Sequence, residues 1–340
     1  QRTAPELADY RCAARACGHG RSWRAAAAVL ASAQDRGVAD RKGSLWSAVA
    51  WACSVAAAPA PPPAASLASM AWKELALLTF VYGRAARGDL DAVVRAVEEF
   101  ACEHRWLKVA GGGKARLLEA CLRPGDRVLE LGSYVGYSAL VVVRRLRRLG
   151  GGGRVVSCEV DAARALVARR LLAWAGLGDE EAQVRDGRAA DWLVAGRLGP
   201  ADVLILDHRG TRYHADLRLA EPVLARAARV FADNVLHPGA PLFLAYVAGR
   251  YDATVHEVRE FVHVPPLVDW VAVCERRAAP STGELESPPA LRWWTSEVDA
   301  ICAASMRGPV DWHAFQSRLL CGLHSWHAGL ARRNPQPRQG

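Results

Sequence analysis

Five short apolar runs, separated by stretches of helical length, each end in an acidic or polar residue. They are Val128–Leu131 with Glu130, Arg154–Glu159, Ala182–Asp186, Val203–Asp207 and Val230–Asn234. Between or beside them the spacing of apolar residues predicts helices over 89–103, 138–149, 162–175 and 219–229. Strands alternating with helices of this length require a parallel sheet covered on both faces, so the chain is α/β. Ligands bind such sheets at the carboxyl ends of the strands, where these acidic residues gather.

The chain has 340 residues, enough for two domains or one large one with appendages. Residues 1–58 read as an Ala-rich helical extension, 59–72 as a stiff Pro/Ala linker, 73–278 as the sheet domain, 279–289 as a second linker and 290–340 as a helical Trp-rich tail. Tyr10-x-x-x-Ala-Arg-Ala-Cys17 returns as Trp46-x-x-x-Ala-Trp-Ala-Cys53, an offset of 36 residues. That period suits a degenerate pentatricopeptide-type helical hairpin, a module that reads RNA, although such repeats need about three copies to bury a continuous core. The excess of 44 Lys+Arg over 35 Asp+Glu is compatible with RNA but does not require it. The nine cysteines are odd in number and form no CxxC, which points away from a disulfide framework or zinc site and toward a reducing, intracellular, cytoplasmic setting. The longest apolar stretch is too short to span a bilayer.

The first strand leads into Glu130-Leu-Gly132-Ser-Tyr134-Val-Gly136-Tyr-Ser138. The glycines let a ligand approach the backbone, and Glu159 at the end of the second strand suits ribose hydroxyls. No basic cradle for a pyrophosphate follows, which favours a nucleoside-like cofactor such as S-adenosylmethionine over a dinucleotide. Asp207, Asp233 and Asn234, on neighbouring strand ends, offer three oxygen donors to a hard divalent ion.

At these residues the segment from 74 to 277 resembles catechol O-methyltransferases. The shared landmarks include Trp106-Leu-Lys-Val-Ala-Gly-Gly-Gly-Lys114, Val128-Leu-Glu-Leu-Gly-Ser-Tyr-Val-Gly-Tyr-Ser-Ala139, Cys158-Glu159, Leu206-Asp-His208, Ala232-Asp-Asn-Val235, Pro238-Gly239 and Phe243-Leu-Ala-Tyr246. The resemblance implies a Rossmann-like S-adenosylmethionine-dependent methyltransferase fold with helical extensions at both ends. It implies that Ala110, Glu130, Gly132, Tyr134 and Ser138 face the methionine end of the cofactor, with Asp207 and His208 beside it. Glu159 would hold the ribose, Val160 would pack on the adenine, and Gly187 to Ala190 would border it. Asp207, Asp233 and Asn234 would bind Mg²⁺, with Asn234 also meeting the acceptor, and Trp106 and Pro238 would be apolar walls for an aromatic ring.

The chain also departs from that family. Where the family carries its lysine base the chain has Gly210, and the preceding aromatic wall is Arg209. Arg209 cannot accept a proton at useful pH but would stabilise an oxyanion or select an anionic phenol. Lys108 and His263 are the candidate replacement bases. Ala189 and Ala190 replace the family's adenine-edge Ser and Gln, with Arg188 as compensation. The expected function is Mg²⁺-dependent methyl transfer to a catechol-like small molecule; the competing one is an impaired methyltransferase fold serving as an RNA-associated binding module.

Overall fold

The computed structural model describes residues 64–104, 107–248, 250–262, 267–277 and 288–333. The repeat-like segment 1–58, the Pro61–Pro63 run, Trp106, His263 and most of the second linker lie outside the described residues.

Helix α1 (Ala64–Arg84) begins inside the segment read as a linker. Helices α2 (Leu90–Glu99) and α3 (Gly113–Cys121) follow. Asp89 caps α2 by accepting from Ala92 N, which satisfies one amide that the first turn leaves free. The alternating core is β1 (Arg127–Leu131), α4 (Tyr137–Arg148), β2 (Arg154–Glu159), α5 (Ala162–Trp174), β3 (Ala182–Asp186), α6 (Ala189–Val194), β4 (Ala201–Leu206), α7 (Tyr213–Ala220) and β5 (Leu224–Ala232). It ends in α8 (Pro241–Val247), a β6–β7 hairpin (Tyr251–Arg259, Val268–Arg276), and helices α9 (Pro289–Ser305) and α10 (Trp312–Arg333).

The seven strands form one sheet in the order β3-β2-β1-β4-β5-β7-β6. β1 to β5 are parallel, and β7 runs antiparallel to both β5 and β6. This is the Rossmann-like arrangement expected, with an antiparallel hairpin added at one edge. Alternation along the strands sorts the core. Val128, Val203 and Ile205 join α1, α2, α4 and α5 on one face through Leu77, Val93, Leu140 and Leu171. Leu129, Leu131, Leu204 and Leu206 join α7, α8 and the C-terminal helices on the other, through Leu217, Phe243, Leu291 and Leu319.

One element corrects the sequence reading. The predicted helix over 219–229 stops at Ala220, a short 3₁₀ turn spans Glu221–Val223, and β5 already starts at Leu224. Pro222 has no N–H to donate and ends the helix. The β6–β7 hairpin was not foreseen.

Candidate functional site

The strand order reverses between β1 and β4, so the crevice opens where those two strands end. The loops after them are pressed together there. Gly132 has φ +100°, and a Cβ on it would collide with the carbonyl oxygen of Asp207. The position therefore demands glycine on two counts: its conformation and the closeness of the neighbouring backbone.

One half of the crevice follows the β1 and β2 loops. Glu130 is fully buried, and the hydroxyls of Ser138 and Ser157 both donate to it. Burial pushes its carboxyl up to about 7, against the lowering effect of those hydroxyls. Tyr134 adopts φ +47°, rare for a side chain of this size, and its phenol donates to Glu74 on α1 at 2.8 Å. Glu159 accepts from Tyr134 N and Asp161 N, at 2.8 and 2.9 Å, so its two oxygens are aimed by the backbone. Beyond it Val160 is 68% exposed, an apolar side chain left open beside the β2 end. Gly187 sits at φ +112° with its N–H on the Glu159 carbonyl, and Ala189 opens α6 after Arg188. Trp192 brackets this corner, donating from its indole to Asp186 O. Two buried oxygens here, Glu74 Oε2 and Ser133 Oγ, have no hydrogen-bond partner in the structure. Ala110 is buried beside Gly111, on which the ring of Phe261 packs so tightly that a Cβ would lie within 2.6 Å of it. This explains the glycine run.

The other half is acidic. Lys114 on α3 is almost fully buried, and its ammonium reaches Asp233 at 2.7 Å, Asp269 at 2.8 Å and Glu260. Burial alone would lower its pKa; the three carboxylates outweigh it and hold the group well above the usual lysine range. Asp269, wholly buried on β7, also accepts from Leu236 N, His237 N and Trp270 N. Against the upward push of burial, Lys114 and these donors keep it below its ordinary value. It thereby fixes the loop after β5, in which Asn234 takes the left-handed φ of +56°.

This network leaves specific oxygens uncommitted. Asn234 donates its amide nitrogen to Asp269 at 3.0 Å and Glu260 at 3.3 Å, which turns Oδ1 away from them. Asp233 Oδ1 takes both Lys114 and Asn234 N, leaving Oδ2. Asp207 is half-buried, and no hydrogen bond or ion pair reaches its carboxylate among the described residues. Desolvation and the charge of Asp233 push Asp207 well above the carboxylate range. Glu260 is pushed up to about 8 by desolvation, although Lys114 opposes it. Four carboxylates thus meet one ammonium, with oxygens of Asp207, Asp233 and Asn234 still open. Hard oxygen donors carrying excess negative charge fit a divalent cation. Among the described residues no group of three His, Cys, Asp or Glu side chains is arranged for a metal; the third donor of this set is an amide.

The remaining predicted residues fall around this cluster. Lys108 keeps contact with solvent at the mouth of the crevice, while desolvation and the neighbouring Arg164 hold its ammonium below the usual lysine range, with Asp207 and Cys302 in electrostatic reach. His208 is turned onto α7, where Nε2 meets Asp216 at 2.8 Å. Pro238 is half-buried beside the β5 loop. Arg209 is paired with Asp299 on α9, which takes its Nε at 3.0 Å and its second nitrogen at 2.9 Å. Gly210 is buried, and a Cβ there would collide with Gly239 O. The neighbouring backbone therefore leaves no room for a side chain at this position.

Lys114, Glu260 and Asp269 were not foreseen as site residues. Asp269 did leave a signal, a lone carboxylate within the apolar run Leu267–Val273. Lys114 and Asp269 are 155 positions apart, and nothing local to either announces the other.

Residues 129–235 match the family model described as a methyltransferase domain. The chain is 36% identical over 181 residues to catechol O-methyltransferase B of Danio rerio, covering 50% of this chain and 66% of that protein. It is 33% identical over 205 residues to catechol O-methyltransferase of Mus musculus, covering 58% and 76%. It is 34% identical over 188 residues to the transmembrane O-methyltransferase of Homo sapiens, covering 52% and 64%. The chain thus spans about two thirds to three quarters of the length of these relatives. No described helix of this chain is long and apolar enough to cross a membrane. Among solved structures, an O-methyltransferase from Bacillus cereus in complex with SAH matches at 22% identity and TM-score 0.45, over 55% of this chain and 90% of that one. With a third of the aligned residues identical over three quarters of the mouse protein, the chain belongs to the catechol O-methyltransferase-like family of O-methyltransferases.

Proposed function

We propose that the chain transfers a methyl group from S-adenosylmethionine to one hydroxyl of a small aromatic vicinal diol, with a divalent cation such as Mg²⁺ at the β4 and β5 ends. The observation that carries this reading is the charge deficit of the acidic half. Lys114 is paired with three carboxyl groups while Asp207 has no ion pair of its own among the described residues, and Asp207 and the Asp233–Asn234 pair follow the ends of the adjacent strands β4 and β5.

In this reading Asp207, Asp233 and Asn234 hold the cation, whose charge when bound lowers the pKa of a hydroxyl in contact with it. The cofactor supplies an electrophilic methyl group. Glu130, Ser138 and Tyr134, with the backbone at Ala110 and Gly132, hold its methionine end, and Glu74 Oε2 and Ser133 Oγ offer unfilled hydrogen-bond capacity. Glu159 accepts from the ribose hydroxyls, while Val160, Gly187 and Ala189 border the adenine. His208, held on Asp216, supports the turn after Asp207. Lys108 Nζ, whose ammonium is held below the usual lysine range and lies in electrostatic reach of Asp207, is the group this reading assigns to take the acceptor's hydroxyl proton. Asp269 and Lys114 fix Asn234 and Asp233, so the donor set is built before any ligand arrives. Pro238, in the loop after β5, lies on the acceptor side.

The test is calorimetric titration with S-adenosylmethionine with and without Mg²⁺, followed by methyl transfer to catechol. Binding together with Mg²⁺-dependent turnover is expected. Absence of cofactor binding would overturn the reading, and turnover indifferent to chelation would remove the cation from it.

A further inference from the structure

The acceptor side of the crevice has a wall from outside the matched segment 129–235. Helix α9 crosses the loop after β4, and Asp299 Oδ1 accepts from Arg209 Nε at 3.0 Å, from its second nitrogen at 2.9 Å and from Thr211 Oγ1 at 2.7 Å. One carboxylate oxygen thus fixes the residues on both sides of buried Gly210. The loop is clamped from below as well, since Gly210 lies against Gly239 and Gly239 lies against Val298 and Leu319 of the C-terminal helices. Three residues along α9, on the same face as Asp299, the Cys302 thiol lies in electrostatic reach of both Arg209 and Lys108. Helix α9 therefore holds the β4 loop and brings Cys302 into electrostatic reach of Lys108, itself in electrostatic reach of Asp207.

Arg209 lies two residues beyond Asp207, and its side chain is 62% exposed although the guanidinium edge is bound. A guanidinium held by its edge keeps a flat face open, and flat guanidinium faces stack on aromatic rings. Its charge is meanwhile met by Asp299, which leaves it less to offer an anionic acceptor. We propose that Asp299 is a positioning residue which holds Arg209 as a stacking wall, and that the site consequently prefers neutral aromatic diols to carboxylated ones. This rests on the proposed methyl transfer to a diol.

The experiment measures KM and kcat for catechol and for a ring-carboxylated catechol in the full chain, in Asp299→Ala, Asp299→Asn, Arg209→Lys and the exchange Arg209→Asp with Asp299→Arg. The wild type is expected to prefer catechol. Asp299→Ala and Asp299→Asn are expected to raise KM for catechol roughly tenfold and to lower it for the carboxylate, with kcat and calorimetric cofactor affinity little changed. Arg209→Lys, which keeps the charge without the plane, should lose the catechol preference, and the exchange should regain part of it. Asn at 299 keeps the side-chain volume and guards against misfolding. A wild-type preference for the carboxylate, or an acceptor ratio unmoved in all Asp299 variants, would overturn the inference. No turnover of either diol by the wild type would instead sink the function it rests on, before any variant is compared.

Discussion

The two ends of the sheet carry charge in opposite ways. At the amino ends of the strands, acids and bases match one to one. Arg229 is buried against Asp126 at 2.6 Å, and Arg127 grips Asp202 through two nitrogens and its backbone N–H. At the carboxyl ends, three carboxyl groups share Lys114 and a fourth, Asp207, stands beside them without an ion pair of its own among the described residues. A buried pair with its hydrogen bonds made needs nothing further, whereas an excess of buried carboxylates remains unfavourable until something positive arrives. The first end is built for the fold, the second for a ligand.

The sharpest break in this contrast is Lys114→Met. Removing one partner from a buried ion pair costs about 3–5 kcal/mol, and here three carboxylates lose it together. Arg229→Met should cost a similar amount at the other end. The difference lies in rescue: added Mg²⁺ should restore part of the urea midpoint of Lys114→Met and none of that of Arg229→Met. Equal insensitivity to Mg²⁺ would erase the distinction between the two ends.

Next is Asp207→Asn. On the proposed reading it removes a cation ligand, and kcat/KM should fall by about 10²–10³-fold, in the range of losing one preorganised electrostatic contact. The same change removes a carboxylate that Asp233 repels, so the cation-free protein should melt at a higher temperature than the wild type. A function-bearing group that weakens the empty fold is what a site prepared for a cation requires.

The contrast also shows what the amino-acid order makes legible. The parallel sheet was readable because each strand is an apolar run stopped by a polar residue, and β2 and β3 fall on the boundaries read from the sequence. That Asp207, Asp233 and Asn234 stand at neighbouring strand ends was readable because strand ends come together in any sheet of this kind; their role is the one proposed above. Lys114 and Glu260 were not, because their meaning lies in contacts across more than a hundred residues. The partner of Arg209 was hidden for the same reason: its charge is visible in the chain, but Asp299, which pairs with it, is 90 residues away.

A smaller effect follows at Gly210. Gly210→Ala forces a methyl group onto Gly239 O, and overpacking of this kind costs about 1–3 kcal/mol, read as a drop in the urea midpoint. Gly210→Lys should therefore destabilise the chain without raising turnover; a gain in activity would show that the loop yields and that the steric reading is wrong.

The gentlest test is pH. Glu260 has a folded pKa of about 8, raised above its ordinary value, so the folded state holds a proton that the unfolded chain releases. The unfolded state then binds fewer protons between about 4.5 and about 8, and stability contributed by this end falls as pH rises through that window. Asp202 is held below its ordinary value by Arg127, chiefly through their hydrogen bond, so its contribution is present above its unfolded pKa and is lost as acid takes the pH below it. Arg127→Met should have little effect at neutral pH, since the pair is solvated, and should flatten only the acid limb of the stability curve. Mg²⁺ should flatten only the limb between about 4.5 and about 8, because a cation among the carboxylates offsets the repulsion that keeps Glu260 protonated. If either treatment moves the other limb, the two ends of the sheet are electrostatically one system rather than two.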